Sequence, residues 1–143
     1  MAFKFENLEV WKLALNISDD VNKIANHFPR HEMFQLSSQI RRAADSAVLN
    51  IAEGSQGQSD REFARFLSMS IRSSIEVVSC LYIAEKRGYL EDIKNSKIYL
   101  DLETVIKRTQ ALKNKLIPRR LIPILTICIL LWSMVYGLWS NLL

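Results

Sequence analysis

Apolar residues recur at helical spacing through four successive stretches, each cut off by a residue that ends helices, and no other feature restricts the fold as tightly. The first stretch, about Leu8 to His27, carries Leu8, Trp11, Leu15, Ile17, Val21, Ile24 and Phe28 on one side, and Pro29 stops it. The second runs from near Glu32 to Gly54, with Met33, Leu36, Ile40, Ala43, Ala44, Ala47, Val48 and Ile51 in one arc and Gly54 suited to a left-handed cap. Ser59 and Glu62 make an S-x-x-E capping box ahead of the third, which reaches about Arg87 before Gly88 closes it. Its inner face holds Phe63, Phe66, Leu67, Ser70, Ile71, Ser74, Val77, Val78, Leu81 and Ala84. The fourth, roughly Glu91 to Ile117, repeats Ile98, Leu102, Val105, Thr109, Leu112 and Leu116 at alternating steps of four and three, and Pro118 ends it. Such a heptad pattern packs helices nearly parallel. Short connections favour antiparallel neighbours, so residues 1–117 are expected to form an all-α, up-down-up-down four-helix bundle.

The chain has 143 residues, and its first 117 suffice for one core without metals or disulfides. Cys80 and Cys128 have no disulfide or zinc spacing, which suits a reducing cytoplasm, and MAFKFENLEVW has no apolar signal-peptide region. His27 and His31 stand four apart, but Pro29 between them breaks the helix that would align two ligands, so neither a metal nor a cofactor is expected. No serine or cysteine sits in a nucleophile motif, and there is no glycine-rich phosphate loop. Catalysis is not expected.

Gln39, Arg42, Ser46, Asn50 and Glu53 recur at steps of three and four, a polar ribbon beside the alanines of the second stretch. Small residues at Ala43, Ala44, Ser46, Ala47, Ser70, Ser73 and Ser74 let the second and third helices approach closely. At the edge of that contact the ribbon either buries Arg42, Asn50 and Glu53 against partners or forms a solvated edge, with Arg41 and Asp45 as an ordinary i,i+4 pair. In the first case Glu53 pairs with Arg42 of a neighbouring copy or with Arg72. Phe34, Leu49, Ile75, Tyr82 and Ile83 fall outside the core arcs and point to subunit contacts.

Net charge is +4, too little to argue nucleic-acid binding by itself. Its distribution is more informative: residues 1–53 carry six basic and seven acidic side chains, and residues 54–117 carry eleven and eight. Arg61, Arg65 and Arg72 fall on one outward line of the third helix, and Lys94, Lys97, Lys107, Arg108, Lys113 and Lys115 decorate the fourth. Repeated by symmetry, these make a ring that phosphates of RNA or DNA recognise without sequence readout. The plainer alternative is a solvated face interrupted by Glu76 and Asp101.

Residues 121–143 hold no charged side chain. As a helix, 20 residues beginning at Leu121 span about 30 Å, the thickness of a bilayer's hydrocarbon core. Trp132, Tyr136 and Trp139 suit its far interface, and Lys113, Lys115, Arg119 and Arg120 keep the bundle on the cytoplasmic side of the inner membrane. Translated unrelated sequence and a segment packed on the bundle or inside an oligomer are the other readings of 118–143. A membrane-tethered interaction module without nucleic-acid binding is the corresponding alternative function.

The succession "FENLEVW", "FP", "LSSQIRRAADSAVLNIAEG", "SDREFARFLSMSIRSSIE" and "RGYL" resembles the four-helix-bundle family of proteins encoded in intervening sequences of 23S ribosomal RNA genes. Accessory proteins of diversity-generating retroelements are relatives of that family. The resemblance covers about residues 3–113. It implies a homopentamer of bundles without enzymatic activity and, for the retroelement relatives, a basic surface for nucleic acid and a reverse transcriptase partner. After Gly54, relatives commonly carry an aromatic residue followed by Gly or Arg, whereas this chain has Ser55, Gln56, Gly57 and Gln58.

Overall fold

A computed structural model describes residues 3–117, which form four α-helices: α1 Glu9–Ala25, α2 Leu36–Ser55, α3 Asp60–Lys86 and α4 Lys97–Leu116. Short 3-10 turns precede α1, α2 and α4, and no strand occurs among the described residues. Leu121, Trp132, Tyr136 and Trp139, and with them the membrane-anchor reading, lie outside the described residues.

Side-chain pairings set the direction of each helix against the next. Ser18 donates to Asp45 at 2.6 Å, and Arg41 donates to Asn22 and Asn26 at 2.9 and 2.8 Å, so α2 descends as α1 rises. Ser70 donates to the Ala47 carbonyl at 2.9 Å, Ser46 and Ser73 share a hydrogen bond of 3.0 Å, and Gln39 donates to Glu76. Tyr82 and Tyr99 meet edge to face between α3 and α4, and Lys97 reaches back to Asp20 at 3.4 Å. Each helix touches two neighbours and none touches the one diagonally opposite, so four antiparallel helices surround one core.

Val21, Ile40, Ile51, Leu67, Val77, Leu81 and Leu102 are fully enclosed at the centre of that core. Each such side chain contributes about 1.5–3 kcal/mol by leaving water. The α2–α3 contact is the most extensive, and its small residues explain why. Ser70 and Ser74 are buried with their hydroxyls bonded to the Ala47 and Ser70 carbonyls, so close approach leaves neither polar group unpaired. A Cβ added at Gly54 would overlap the Cβ of Phe66 and meet the Phe63 ring at 3.0 Å. Gly54 is therefore a contact residue inside α2 rather than a left-handed cap, and that conformation occurs at Gly88, φ +76°.

Several boundaries move inward from the sequence pattern. The chain from Arg30 to Glu32 makes a 3-10 turn and α2 begins at Leu36, which leaves Met33 exposed. Leu15 is exposed as well. Asp92, left-handed at φ 45°, breaks the pattern ahead of α4, and Ser96 caps that helix by accepting the Tyr99 N–H. Ser59 caps α3 by accepting the Glu62 N–H at 3.2 Å, while the Glu62 carboxylate takes the Gln58 N–H.

One end of the bundle is fastened by Glu32, a carboxylate only 3% exposed. Arg87 donates to it at 2.6 Å, the Tyr89 hydroxyl at 3.1 Å and the Leu36 N–H at 3.3 Å. These bonds tie the α1–α2 connection to the α3–α4 connection. Burial pushes the Glu32 carboxyl upward, but the Leu36 N–H, the Tyr89 hydroxyl and the Arg87 charge together hold it below the ordinary glutamate range.

Candidate nucleic-acid interface

At the opposite end, the first turns of α3 and the last turns of α4 enclose a groove of about 560 Å³. Arg61 and Arg65 project from α3 one helical turn apart, and Lys113 faces them from α4; Ser59, Ser68 and Ile117 complete the lining. The antiparallel register brings these cations together. None of the three is in an ion pair among the described residues. The α3 N-terminus adds its positive dipole end, offset in part by Glu62 in the lining. Arginine offers a planar fork to phosphate oxygens and lysine a compact charge, so the groove fits phosphate groups spaced along a backbone.

The other candidate cations do not join them. Lys94 lies in the 3-10 turn Ile93–Asn95 at the far end of the bundle. Lys97 is held by Asp101 at 2.5 Å and Asp20 at 3.4 Å, and the Asp101 carboxylate beside it raises its ammonium above the ordinary lysine range. Lys107 pairs with Glu103 at 3.0 Å. Arg72, Arg108 and Lys115 are exposed and outside any ion pair among the described residues, and they do not line the groove. The single stripe read from the sequence thus divides into one convergent trio and scattered, partly neutralised charges.

The polar ribbon is internally bonded. Asn50, 9% exposed, donates to the Ser46 carbonyl at 2.7 Å and its hydroxyl at 3.1 Å, and Ser46 meets Ser73 across the α2–α3 contact. Arg42 donates to Gln39 at 3.0 Å, which in turn reaches Glu76. Glu53 is exposed and forms no pair with Arg72 within the chain.

Arg41 departs from the expected i,i+4 pair. Asp45 takes the Ser18 hydroxyl instead, and two asparagine carbonyls, not a carboxylate, hold the guanidinium. Asn22 in α1 and Asn26 at its C-cap stand one turn apart, a spacing visible in the sequence, but their target was not. Glu32 was equally inconspicuous, since its side-chain partners Arg87 and Tyr89 lie more than fifty positions away.

Phe34 and Leu49, with Ile75, Tyr82 and Ile83 on α3, are exposed as the sequence arcs require. Of the described helices, α3 is long and apolar enough by composition to cross a bilayer, yet its Leu67, Val77 and Leu81 are core residues of the bundle. Its surplus apolar surface lies on the outward side.

Comparison with protein-family models matches residues 6–111 to the 23S rRNA-intervening sequence protein family. Comparison with individually curated proteins gives no match.

Proposed function

Because the chain belongs to the 23S rRNA-intervening sequence protein family, we propose that it is a nonenzymatic helical-bundle scaffold that self-associates in the cytoplasm and holds nucleic acid by its phosphates. The observation that carries this reading is the convergence of Arg61, Arg65 and Lys113 in one open groove, none of them in an ion pair among the described residues although Glu62 also lines it. Unpaired cations on a rigid frame attract polyanions at little reorganisation cost, and they read charge spacing rather than sequence. Exposed Ile75, Tyr82 and Ile83 on α3 support self-association, for which a homopentamer is the arrangement the resemblance implies. Ring symmetry would repeat the groove at regular intervals.

Electrophoretic mobility shifts of single-stranded RNA and duplex DNA at two salt concentrations test the reading. Retardation at low salt that weakens at high salt is expected. No retardation of either at low salt overturns it.

A second reading rests on the uncharged run 121–143 that follows Arg119 and Arg120. In it the bundle is an oligomeric interaction module tethered to the inner membrane, with no nucleic-acid role. Membrane fractionation separates the two: sedimentation with vesicles and no salt-dependent binding favours the tether, whereas recovery in the soluble fraction without detergent removes it.

A further inference from the structure

A second cavity lies at the Glu32 end of the bundle, where the α1–α2 connection turns over the start of α2. Its volume is about 280 Å³, and its lining includes Arg30, Arg41, Asn26 and Ser37, with Phe28 and Met33 among the apolar walls. Nothing in the proposed phosphate groove uses these residues.

Each polar group here is poised in the same sense. Arg41 is clamped by Asn22 through Nε and by Asn26 through one terminal nitrogen, which fixes the fork while leaving its charge uncancelled and its second terminal nitrogen uncommitted. The neighbouring acids are occupied elsewhere: Asp45 by Ser18, Asp19 and Asp20 by Lys23, and Glu32 by Arg87. Arg30 is exposed and has no ion-pair partner among the described residues. Ser37 is 2% exposed, lines the cavity, and none of the side-chain hydrogen bonds among the described residues engages its hydroxyl. Its hydroxyl is therefore free to donate to a group bound in the cavity.

The helix start strengthens the case. Gln35, at the N-cap of the 20-residue α2, makes no side-chain cap, and only the Leu36 N–H is taken by a carboxylate. The first turn still presents donors beside Ser37, the kind of group that receives phosphate at helix N-termini, with its positive end offset in part by the Glu32 carboxylate. Two guanidinium groups and a hydroxyl supply donors, and no carboxylate lines the cavity.

We infer that this cavity binds a phosphate monoester group, with Arg41 and Arg30 as its charge partners, Ser37 as a hydroxyl donor, and Phe28 and Met33 against the organic part of the ligand. At about 280 Å³ the cavity lies just under the usual lower end of ligand pockets, about 300 Å³, which suits a phosphate group with a small organic part or the phosphorylated end of a larger molecule. This site is independent of the Arg61, Arg65 and Lys113 groove at the other end, so either can fail without the other.

Calorimetric titration of the full chain with inorganic phosphate, a nucleoside 5′-monophosphate, the unphosphorylated nucleoside, and a short oligonucleotide with or without a 5′-phosphate tests the inference. Saturable binding that requires the phosphate is expected, and the strongest phosphorylated probe identifies the source. Removing a donor to a charged group weakens binding by about tenfold or more, so Ser37→Ala and Arg30→Ala should each have that effect. Lys12→Ala, at an exposed position that lines neither cavity, should leave it unchanged. Circular dichroism of the variants checks folding, and Arg30, being exposed, remains a valid probe if Ser37→Ala perturbs the core. Absence of saturable binding to every phosphorylated probe, or binding indifferent to both substitutions, overturns the inference.

Discussion

Gly54 sits where α2 and α3 come so close that the β-carbon of any other residue would collide with Phe66. Alanine at a helical position gains about 1 kcal/mol in propensity over glycine, whereas forcing a carbon into a packed contact costs about 1–3 kcal/mol. The obstructing atom is a Cβ fixed to the α3 backbone, which cannot swing aside, so the steric cost wins. Gly54→Ala should lower stability in urea unfolding; a rise would mean that the helices separate freely. Glu32 makes a residue-scale prediction about pH. Its folded-state pKa lies below that of the unfolded chain, so its contribution is complete above the ordinary glutamate value and disappears as pH falls through the folded value. Glu32→Gln should therefore be less stable than the parent at pH 7, and the gap should narrow progressively below about pH 4. A gap independent of pH, followed by thermal melts across that range, would show that the charge on Glu32 is not what fastens the end.

Among the elements, α3 is the central strut, because it shares faces with α2 and α4 and carries both the groove arginines and the outward apolar patch. Its start depends on Ser59, and Ser59→Ala should reduce stability by about 1 kcal/mol. The same change at Ser96, which accepts the Tyr99 N–H over a longer 3.4 Å, should cost less; equal losses in denaturant titrations would contradict the ranking. The helices were legible in the sequence because Ile40, Leu67, Leu81 and Leu102 follow the helical period that burial imposes. Their ends were less so. Met33 fits the period of α2 yet stays exposed, because the buried carboxylate of Glu32 needs a 3-10 turn to reach Arg87, a partner that only the folded chain brings near. Of the candidate site, the side chains were legible and their grouping was not. Helix periodicity places Arg61 and Arg65 on one face, but the register that sets Lys113 opposite them, and Lys94 at the far end, is a property of how α3 and α4 pair. The pairing of Lys97 with Asp101 is a local i,i+4 contact, visible in principle; its link to Asp20 is not.

At the scale of the whole molecule, the two ends of the bundle differ. The Glu32 end is tied shut by bonds between two connections and encloses the Arg41 cavity, while the other end opens into the groove of Arg61, Arg65 and Lys113. Between them, Ile75, Tyr82 and Ile83 remain as apolar surface on α3. Under the proposed self-association that surface would be the assembly face, so Ile75→Asp should reduce the particle mass measured by light scattering while helical circular dichroism is retained. An unchanged mass would move the assembly face elsewhere. The most direct test of the account is the salt dependence of RNA binding by the full chain and by its Arg61→Ala, Arg65→Ala, Lys113→Ala triple variant. Three cations each displacing counterions from a single strand contribute about −2 to the slope of log affinity against log salt per groove engaged. The account predicts that the triple variant binds more weakly with a slope shallower by about that amount per engaged groove. Identical affinity and slope in the parent and the variant would contradict it.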